Sequence, residues 1–253
     1  NVLVGDYDFE GCVISTMDIW YLETFDDFCI RTGAGVQSTE FAEFALENGL
    51  EGAEFLYKLP GTIGGASVMN AKAYNSQISD IITYTHCIDF EGNLVSLSKE
   101  KLEYEYKKSI IQERELIVFE LEFRLEKGDK RVIKSKMDFF AEDRKKKKQF
   151  DFPSAGCVFK NFYDINLPAG KLIEDMGFKG KSVGDAEIYR NHSNFIINKG
   201  KAKASDILTL IIKIKEEAKL KHNLEPELEV KLIGKFSEEG ENIGVFKPKK
   251  RKT

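Results

Sequence analysis

Residues 59–66 read Leu59-Pro60-Gly61-Thr62-Ile63-Gly64-Gly65-Ala66, three glycines in five positions just after a proline. Glycine has no Cβ to hold another group at a distance, so such a run lets backbone N–H groups converge on an anion. The spacing matches neither the phosphate loop G-x-x-x-x-G-K-S/T nor the dinucleotide fingerprint G-x-G-x-x-G. On spacing alone a tight structural turn competes with an anion cradle. Upstream, Cys29 and Ile30 run into Gly33-Ala34-Gly35, and Ser38 precedes Phe41, Ala42, Phe44, Ala45 and Leu46 before Gly49. That pattern predicts strand, glycine turn, N-cap, amphipathic helix and terminating glycine. Gly33 and Gly35 supply two glycines of a dinucleotide fingerprint without the third. Residues 51–75, punctuated by Pro60, predict a long ordered loop with a short helix around Val68 to Ala71.

Downstream, loose alternation from Ile81 to Ile88, a turn at Glu91-Gly92-Asn93 and the run Leu94 to Leu97 predict a hairpin. Residues 116–125 alternate more cleanly, with Ile117, Phe119, Leu121, Phe123 and Leu125 on one face and Glu120, Glu122 and Arg124 on the other. The basic block 144–148, followed by Phe152-Pro153, predicts a domain boundary. Beyond it, Pro168 opens and Gly177 closes a short helix, Asn194 to Asn198 forms a short strand, and Ser205 caps a long helix through Ala218. The expected fold class is α+β, with one domain over 1–143, a smaller one over 150–236 and a solvated tail over 237–253.

The 253 residues suffice for one large domain or two ordinary ones. A net charge of −4 lacks the basic excess of phosphate-tracking proteins, so no nucleic-acid partner is expected. No apolar run approaches the 18 or so residues of a bilayer span, so no membrane insertion is expected. Cys12, Cys29, Cys87 and Cys157 stand far apart with no C-x-x-C pair, which predicts no metal site and a reduced, cytoplasmic setting. Asn1 leads straight into Val2-Leu3-Val4 without the charged and apolar regions of a signal peptide, and the fold is expected to begin before Asn1.

Two further stretches carry chemistry. Ser154-Ala155-Gly156-Cys157-Val158-Phe159-Lys160-Asn161 sets a cysteine after a glycine and near a lysine and an amide. Such a cysteine can be a nucleophile, a proton donor or a small buried hydrophobe. Leu224-Glu225-Pro226-Glu227-Leu228 places two carboxylates about a proline that fixes the backbone.

Taken in order, Pro60 to Ala66 with Met69-Asn70-Ala71 and Ala73-Tyr74, then Tyr106-Lys107-Lys108-Ser109, Ser154 to Asn161, Ala169 to Glu174, His192 to Phe195 with Asn198, Leu224 to Glu227 and Ile233-Gly234 follow a known series. From Asn1 to about Gly234 the chain resembles the UDP-N-acetylenolpyruvoylglucosamine reductases, flavoenzymes of peptidoglycan synthesis, in their compact type II subclass. The resemblance implies an FAD-binding domain of the PCMH type, like vanillyl-alcohol oxidase, followed by a smaller α+β substrate-binding domain. It implies bound FAD, NADPH as co-substrate, a UDP-sugar substrate and a cytoplasmic monomer. Hydride would pass from NADPH through FAD to the enolpyruvyl ether, leaving an enolate to be protonated.

By the same resemblance Cys157, at the position of the family's usual serine, Glu227 and Lys107, at the position of its usual arginine, would be catalytic. Gly33, Gly35, Pro60, Gly61, Thr62, Ile63, Gly64, Gly65, Asn70, Ala73 and Tyr74 would border the cofactor, with Gly61 to Gly65 around its pyrophosphate. Tyr106, Lys160, Asn161, Lys171 and Asn194 would contact substrate. Another PCMH-type FAD oxidoreductase and a non-catalytic sugar-nucleotide-binding relative are the alternative functions.

Overall fold

The computed structural model describes residues 1–148 and 150–238, so all of the expected tail beyond Glu238 lies outside the described residues. Backbone contacts divide the described chain into two compact units, residues 13–143 and residues 1–12 together with those from Arg144 on. The division at Arg144 falls at the basic block. The first twelve residues differ from the expected domain 1–143 and join the C-terminal half. Their strand β1 (Val2–Val4) pairs in parallel with Lys231–Ile233, and Leu3 is buried in one core with Val158, Phe159, Ile173 and Val230. A parallel partner needs no tight turn, so no local sequence signal marks it.

In the 13–143 unit, chain order gives β2 (Leu22–Asp26), β3 (Cys29–Gly33), α1 (Ser38–Glu47), β4 (Leu50–Glu51), α2 (Ile63–Val68), β5 (Lys72–Ala73), β6 (Ser76–Gln77) and α3 (Ile78–Ile81). Then follow β7 (Ile82–Ile88), β8 (Leu94–Ser98), α4 (Ile110–Glu113), β9 (Ile117–Arg124), β10 (Glu126–Lys127) and most of α5 (Lys130–Lys146). The main sheet runs β2-β3-β9-β7-β8 with every neighbour antiparallel. Phe41 of α1 packs on Phe123 of β9 with ring centroids 4.7 Å apart, which sets the core on one face. Arg31, His86, Glu120 and Glu122 occupy the other. A register shift between β7 and β9 at His86/Cys87 interrupts the expected alternation. Val118 turns into the core and Phe119 is left half-buried, as a bulge re-aims the side chains beside it.

Helix α5 is not among the elements the sequence predicts, although Ile133, Met137 and Phe140 recur at helical spacing. The basic block begins in its last turn, where Arg144, Lys145 and Lys146 lie at the negative end of the helix dipole.

The other unit contains β11 (Ser154–Cys157), α6 (Ala169–Asp175), β12 (Ser182–Val183), β13 (Ala186–Ile188), β14 (Phe195–Asn198), α7 (Ala204–His222) and β15 (Lys231–Ile233), the partner of β1. An antiparallel sheet ordered β11-β14-β13-β12 shares its core with Leu210, Ile211, Ile214 and Ala218 of α7.

Helix α7 begins at Ala204, so Ser205 lies inside it and is not its cap. Asp6, just past β1, does that work. Its Oδ1 accepts from the Ala204 N–H at 2.6 Å and its Oδ2 from the Ser205 N–H at 2.8 Å. Burial alone would raise the Asp6 pKa, but hydrogen bonds from Ser205 and Ala204 and the charge of Lys203 outweigh it, and the net direction is downward. Asp6→Ala should therefore cost about 0.5 to 1 kcal/mol at neutral pH, the lower part of the capping range because the site is largely solvated. The folded-state pKa is depressed, so this stability is present above the unfolded value of about 3.9 and is lost as pH falls through the lower folded value. Urea melts of wild type and variant should converge below that window. A gap unchanged down to pH 2 would mean that the carboxylate is not the stabilising group.

Candidate functional site

The glycine stretch is the start of a helix, one turn earlier than the sequence predicted. Thr62 is the N-cap of α2, its Oγ1 accepting from the Gly65 N–H at 3.1 Å. The stretch interlocks with the turn after β3. The Gly64 N–H donates to Ala34 O at 3.0 Å and the Ile63 N–H to Val36 O at 2.8 Å, while Gly61 O accepts from both the Ser38 N–H at 2.9 Å and the Ser38 hydroxyl at 3.0 Å. Ser38 is thus a strut beneath the glycines; the residue capping α1 is Gln37.

These bonds correct the reading of Gly61 to Gly65 as a nest of converging N–H donors, because Ile63, Gly64 and Gly65 already donate within the protein. The glycines divide by purpose. A Cβ on Gly64 would stand 2.8 Å from both the Cβ and the carbonyl oxygen of Ala34, so Gly64 is there for packing. Gly33 and Gly35 are likewise packing positions, where a Cβ would stand 2.1 Å from Ile19 O and 2.3 Å from Met17 O. Of these five glycines, Gly61 and Gly65 face open space. Nothing lies within 4 Å of a Cβ on Gly61, and a Cβ on Gly65 would meet only Thr62 Oγ1, at 3.5 Å.

Asn70 and Tyr74 are anchors. Asn70 is buried with φ +45°, its amide donating to Glu105 O at 3.2 Å and its Oδ1 accepting from the Ser79 N–H at 3.0 Å. Tyr74 sits with Asn75 in the left-handed turn between β5 and β6. Its ring stacks on Phe140 at 4.0 Å and its hydroxyl donates to Asp143 at 2.8 Å. Both are expected to border the cofactor; their polar atoms tie the segment after α2 to Glu105 and Ser79 and the β5–β6 turn to α5, which fixes where the two side chains stand.

Lys107 lies on a piece fixed to the same helix. Glu105 and Lys108 exchange backbone hydrogen bonds of 3.2 and 3.4 Å, which leaves Tyr106 and Lys107 at the corners of a tight turn with Lys107 at φ +58°. The Val68 carbonyl at the end of α2 accepts from Ser109 Oγ at 2.5 Å and Gln112 Nε2 at 2.7 Å.

In the other unit the structure sets two sequence-distant motifs side by side. The backbone of Val158 and Lys160 pairs with residues 227–229: the Lys160 N–H donates to Glu227 O at 2.9 Å and the Glu229 N–H to Val158 O at 2.8 Å. Lys160 Nζ lies 3.1 Å from Glu227 Oε2, so two predicted site residues meet. Glu225 is drawn away to Lys219 at 2.6 Å. Half-buried Cys157 ends β11, and its carbonyl accepts from Asn1 Nδ2 at 3.1 Å.

Three predicted substrate contacts turn out to have structural engagements. Buried Asn194 clamps Phe159, accepting from its N–H at 2.9 Å and donating to its carbonyl at 2.8 Å. Asn161 Oδ1 accepts from the Ala169 N–H at 3.0 Å at the start of α6. Lys171 is an exposed partner of Asp175 at 2.6 Å, one turn along that helix.

Residues 1–98 match the model of an FAD binding domain, and residues 147–233 match the C-terminal domain of UDP-N-acetylenolpyruvoylglucosamine reductase. The reductase of that name from Clostridium novyi is 42% identical over 94% of this chain and 76% of its own length. The chain belongs to the UDP-N-acetylenolpyruvoylglucosamine reductase family. A family member from Staphylococcus saprophyticus is 35% identical over 92% of the chain and 75% of its own. The solved reductase from Thermus caldophilus superposes with a TM-score of 0.70 at 33% identity, covering 83% of this chain and 74% of that one.

The α+β architecture, with an FAD-binding domain and the family's C-terminal domain, is therefore established. FAD is the cofactor of the family, and NADPH use follows from membership. Among the described residues no helix is long and apolar enough to cross a membrane. The glycine loop fits a flavin nucleotide by close approach, since exposed Gly61 and Gly65 leave room where any side chain would stand. Its internally bonded amides do not supply a multi-donor anion nest.

Proposed function

We propose that this reductase converts the enolpyruvyl ether of UDP-N-acetylglucosamine-enolpyruvate to the lactyl ether of UDP-N-acetylmuramate, with Cys157 as proton donor and Glu227 and Lys107 acting on the substrate carboxylate and the enolate. The observation that carries the residue roles is the pairing of the Val158–Lys160 backbone, which follows directly on Cys157, with residues 227–229, so that the thiol and the carboxylate stand on adjoining segments. Bound FAD supplies hydride transfer from the nicotinamide to the terminal enolpyruvyl carbon. Cys157 then gives its thiol proton to the carbon beside the substrate carboxylate. In its thiol form Cys157 carries the one proton that this step consumes. Glu227 is oriented by its ion pair with Lys160. Lys107 offers a point charge in place of an arginine fork, which favours negative charge on the substrate without bidentate geometry. Nucleotide substrate and nicotinamide together support a cytoplasmic setting, and we take the working form as a monomer.

Stopped-flow separation of the half-reactions tests these roles. Glu227→Gln should slow flavin reoxidation by substrate and leave flavin reduction by NADPH nearly unchanged, because no enolate forms in the reductive half. Lys107→Gly removes the charge and also relieves a left-handed conformation. Net of glycine's larger unfolded-state entropy this should gain about 0.5 kcal/mol, or about 1 to 2 °C in Tm. A more stable enzyme with a slowed substrate half-reaction would mark Lys107 as functional. Equal slowing of both half-reactions by either substitution would instead indicate a structural role.

A further inference from the structure

On the face of the main sheet opposite its core, we propose a divalent transition-metal site built from His86, Glu120 and Glu122. His86 on β7 is the cross-strand partner of Glu120 on β9, and Tyr84, two residues earlier on the same face, is the partner of Glu122. The three side chains therefore converge on one spot, and all are partly buried. His86 Nε2 lies 3.7 Å from Glu120 Oε1 and 3.6 Å from Glu122 Oε1. Those separations are too long for hydrogen bonds, and Nε2 is shielded from solvent with no hydrogen-bond partner. They do suit ligands of a shared cation: four ligands at about 2.0–2.1 Å around Zn²⁺ stand about 3.3–3.5 Å from one another. All three ligand atoms lie within 4.8 Å of one another, so adjustment of the two carboxylate side chains would close the shell and leave a fourth position for water.

The ring is already oriented for that purpose. Ser96, the partner of His86 on β8, lies with its hydroxyl 2.8 Å from His86 Nδ1. With the proton on Nδ1, the Nε2 lone pair points at the two carboxylates, as an outer hydrogen bond fixes the tautomer of a metal-bound imidazole. Tyr21 donates to the other oxygen of Glu120 and holds that carboxylate in place.

Arg31 is the resident competitor. Its guanidinium lies 3.0 Å from Glu122 Oε1 and 3.8 Å from Glu120 Oε1. It has other partners to retain, Glu23 at 3.4 Å and the Phe25 ring at 4.6 Å. Three carboxylates facing one guanidinium leave the cluster negative. One imidazole and two carboxylates suit Zn²⁺, Co²⁺ or Ni²⁺ better than Mg²⁺ or Ca²⁺.

The test is calorimetric titration of the full, chelator-treated chain with Zn²⁺, in a Cys12→Ser background because the Cys12 thiol is exposed. The same chain is titrated with Co²⁺ while its visible absorption is read. We expect one-to-one binding, weakened about tenfold or more by His86→Ala, by Glu122→Gln and by Ser96→Ala, since even outer partners are worth about 10- to 100-fold. Arg31→Met, which removes the competing cation, should tighten binding. Circular dichroism checks that each variant is folded, and Glu122→Gln decides if His86→Ala is not. Absence of one-to-one binding, affinity indifferent to these ligand changes, or weaker binding in Arg31→Met would each overturn the site.

Discussion

Cys157→Ala should lose about 10² to 10⁴-fold in the step that protonates the enolate, the usual worth of a positioned acid, while Cys157→Ser keeps substantial activity. The thiol stands on a backbone fixed from both sides, by Asn194 along Val158 and Phe159 and by residues 227–229 along Val158 and Lys160. Removing Sγ therefore changes the chemistry without moving the strand, and a serine hydroxyl in the same place inherits the same positioning. With alanine, hydride arrival at the substrate should continue and protonation should fall to the slower rate of water. Flavin reoxidation and release of the protonated product would then separate in time. Because Cys157 is only half-buried, peroxide should convert it to sulfenic acid and inactivate the wild type, leaving Cys157→Ser active. Normal turnover in Cys157→Ala would remove the proton-donor role, and equal peroxide sensitivity in wild type and Cys157→Ser would remove the reachable thiol.

What could be read in the sequence followed local rules, and what could not was assembled across distance. The hairpin at Glu91-Gly92-Asn93, the strand before Gly33 and the helix closed by Gly177 each depend on neighbours within a few residues, and each is present. Helix α5 is local as well, but the five basic residues 144–148 read as a boundary and hide the Ile133, Met137 and Phe140 stripe. The cap on α7 comes from Asp6, the mate of β15 is β1, and His86 meets Glu120 and Glu122 only through strand register. No spacing rule reports such pairs. The same reasoning separates the site residues. Motif order picked out Cys157, Lys160 and Glu227, and the structure brings the last two into contact. It also picked out Asn70, Tyr74, Asn161 and Asn194, whose hydrogen-bond partners within the protein no motif reports.

Gly65→Leu and Gly64→Ala should both deprive the enzyme of flavin, and their effects on the apoprotein should have opposite signs. At Gly65 a new Cβ meets only Thr62 Oγ1, at an ordinary 3.5 Å. Leucine is also a better helix former than glycine, so the apoprotein should gain up to about 1 kcal/mol. Only a bound cofactor lying against the loop would resent the side chain, and FAD affinity should fall by about 100-fold or more where the backbone must approach closely. At Gly64 the same single carbon would stand 2.8 Å from the Cβ and the carbonyl oxygen of Ala34. It would push α2 off the turn that the Gly64 and Ile63 N–H groups hold, at a cost of about 1 to 3 kcal/mol for overpacking. Flavin loss there would follow from damage to the scaffold and would say nothing about where the cofactor lies. Thermal melts of the two apoproteins, with FAD titrations followed by flavin fluorescence, distinguish the cases. A stable Gly65→Leu protein that binds FAD with wild-type affinity would show that the open space above Gly65 is not where the cofactor rests.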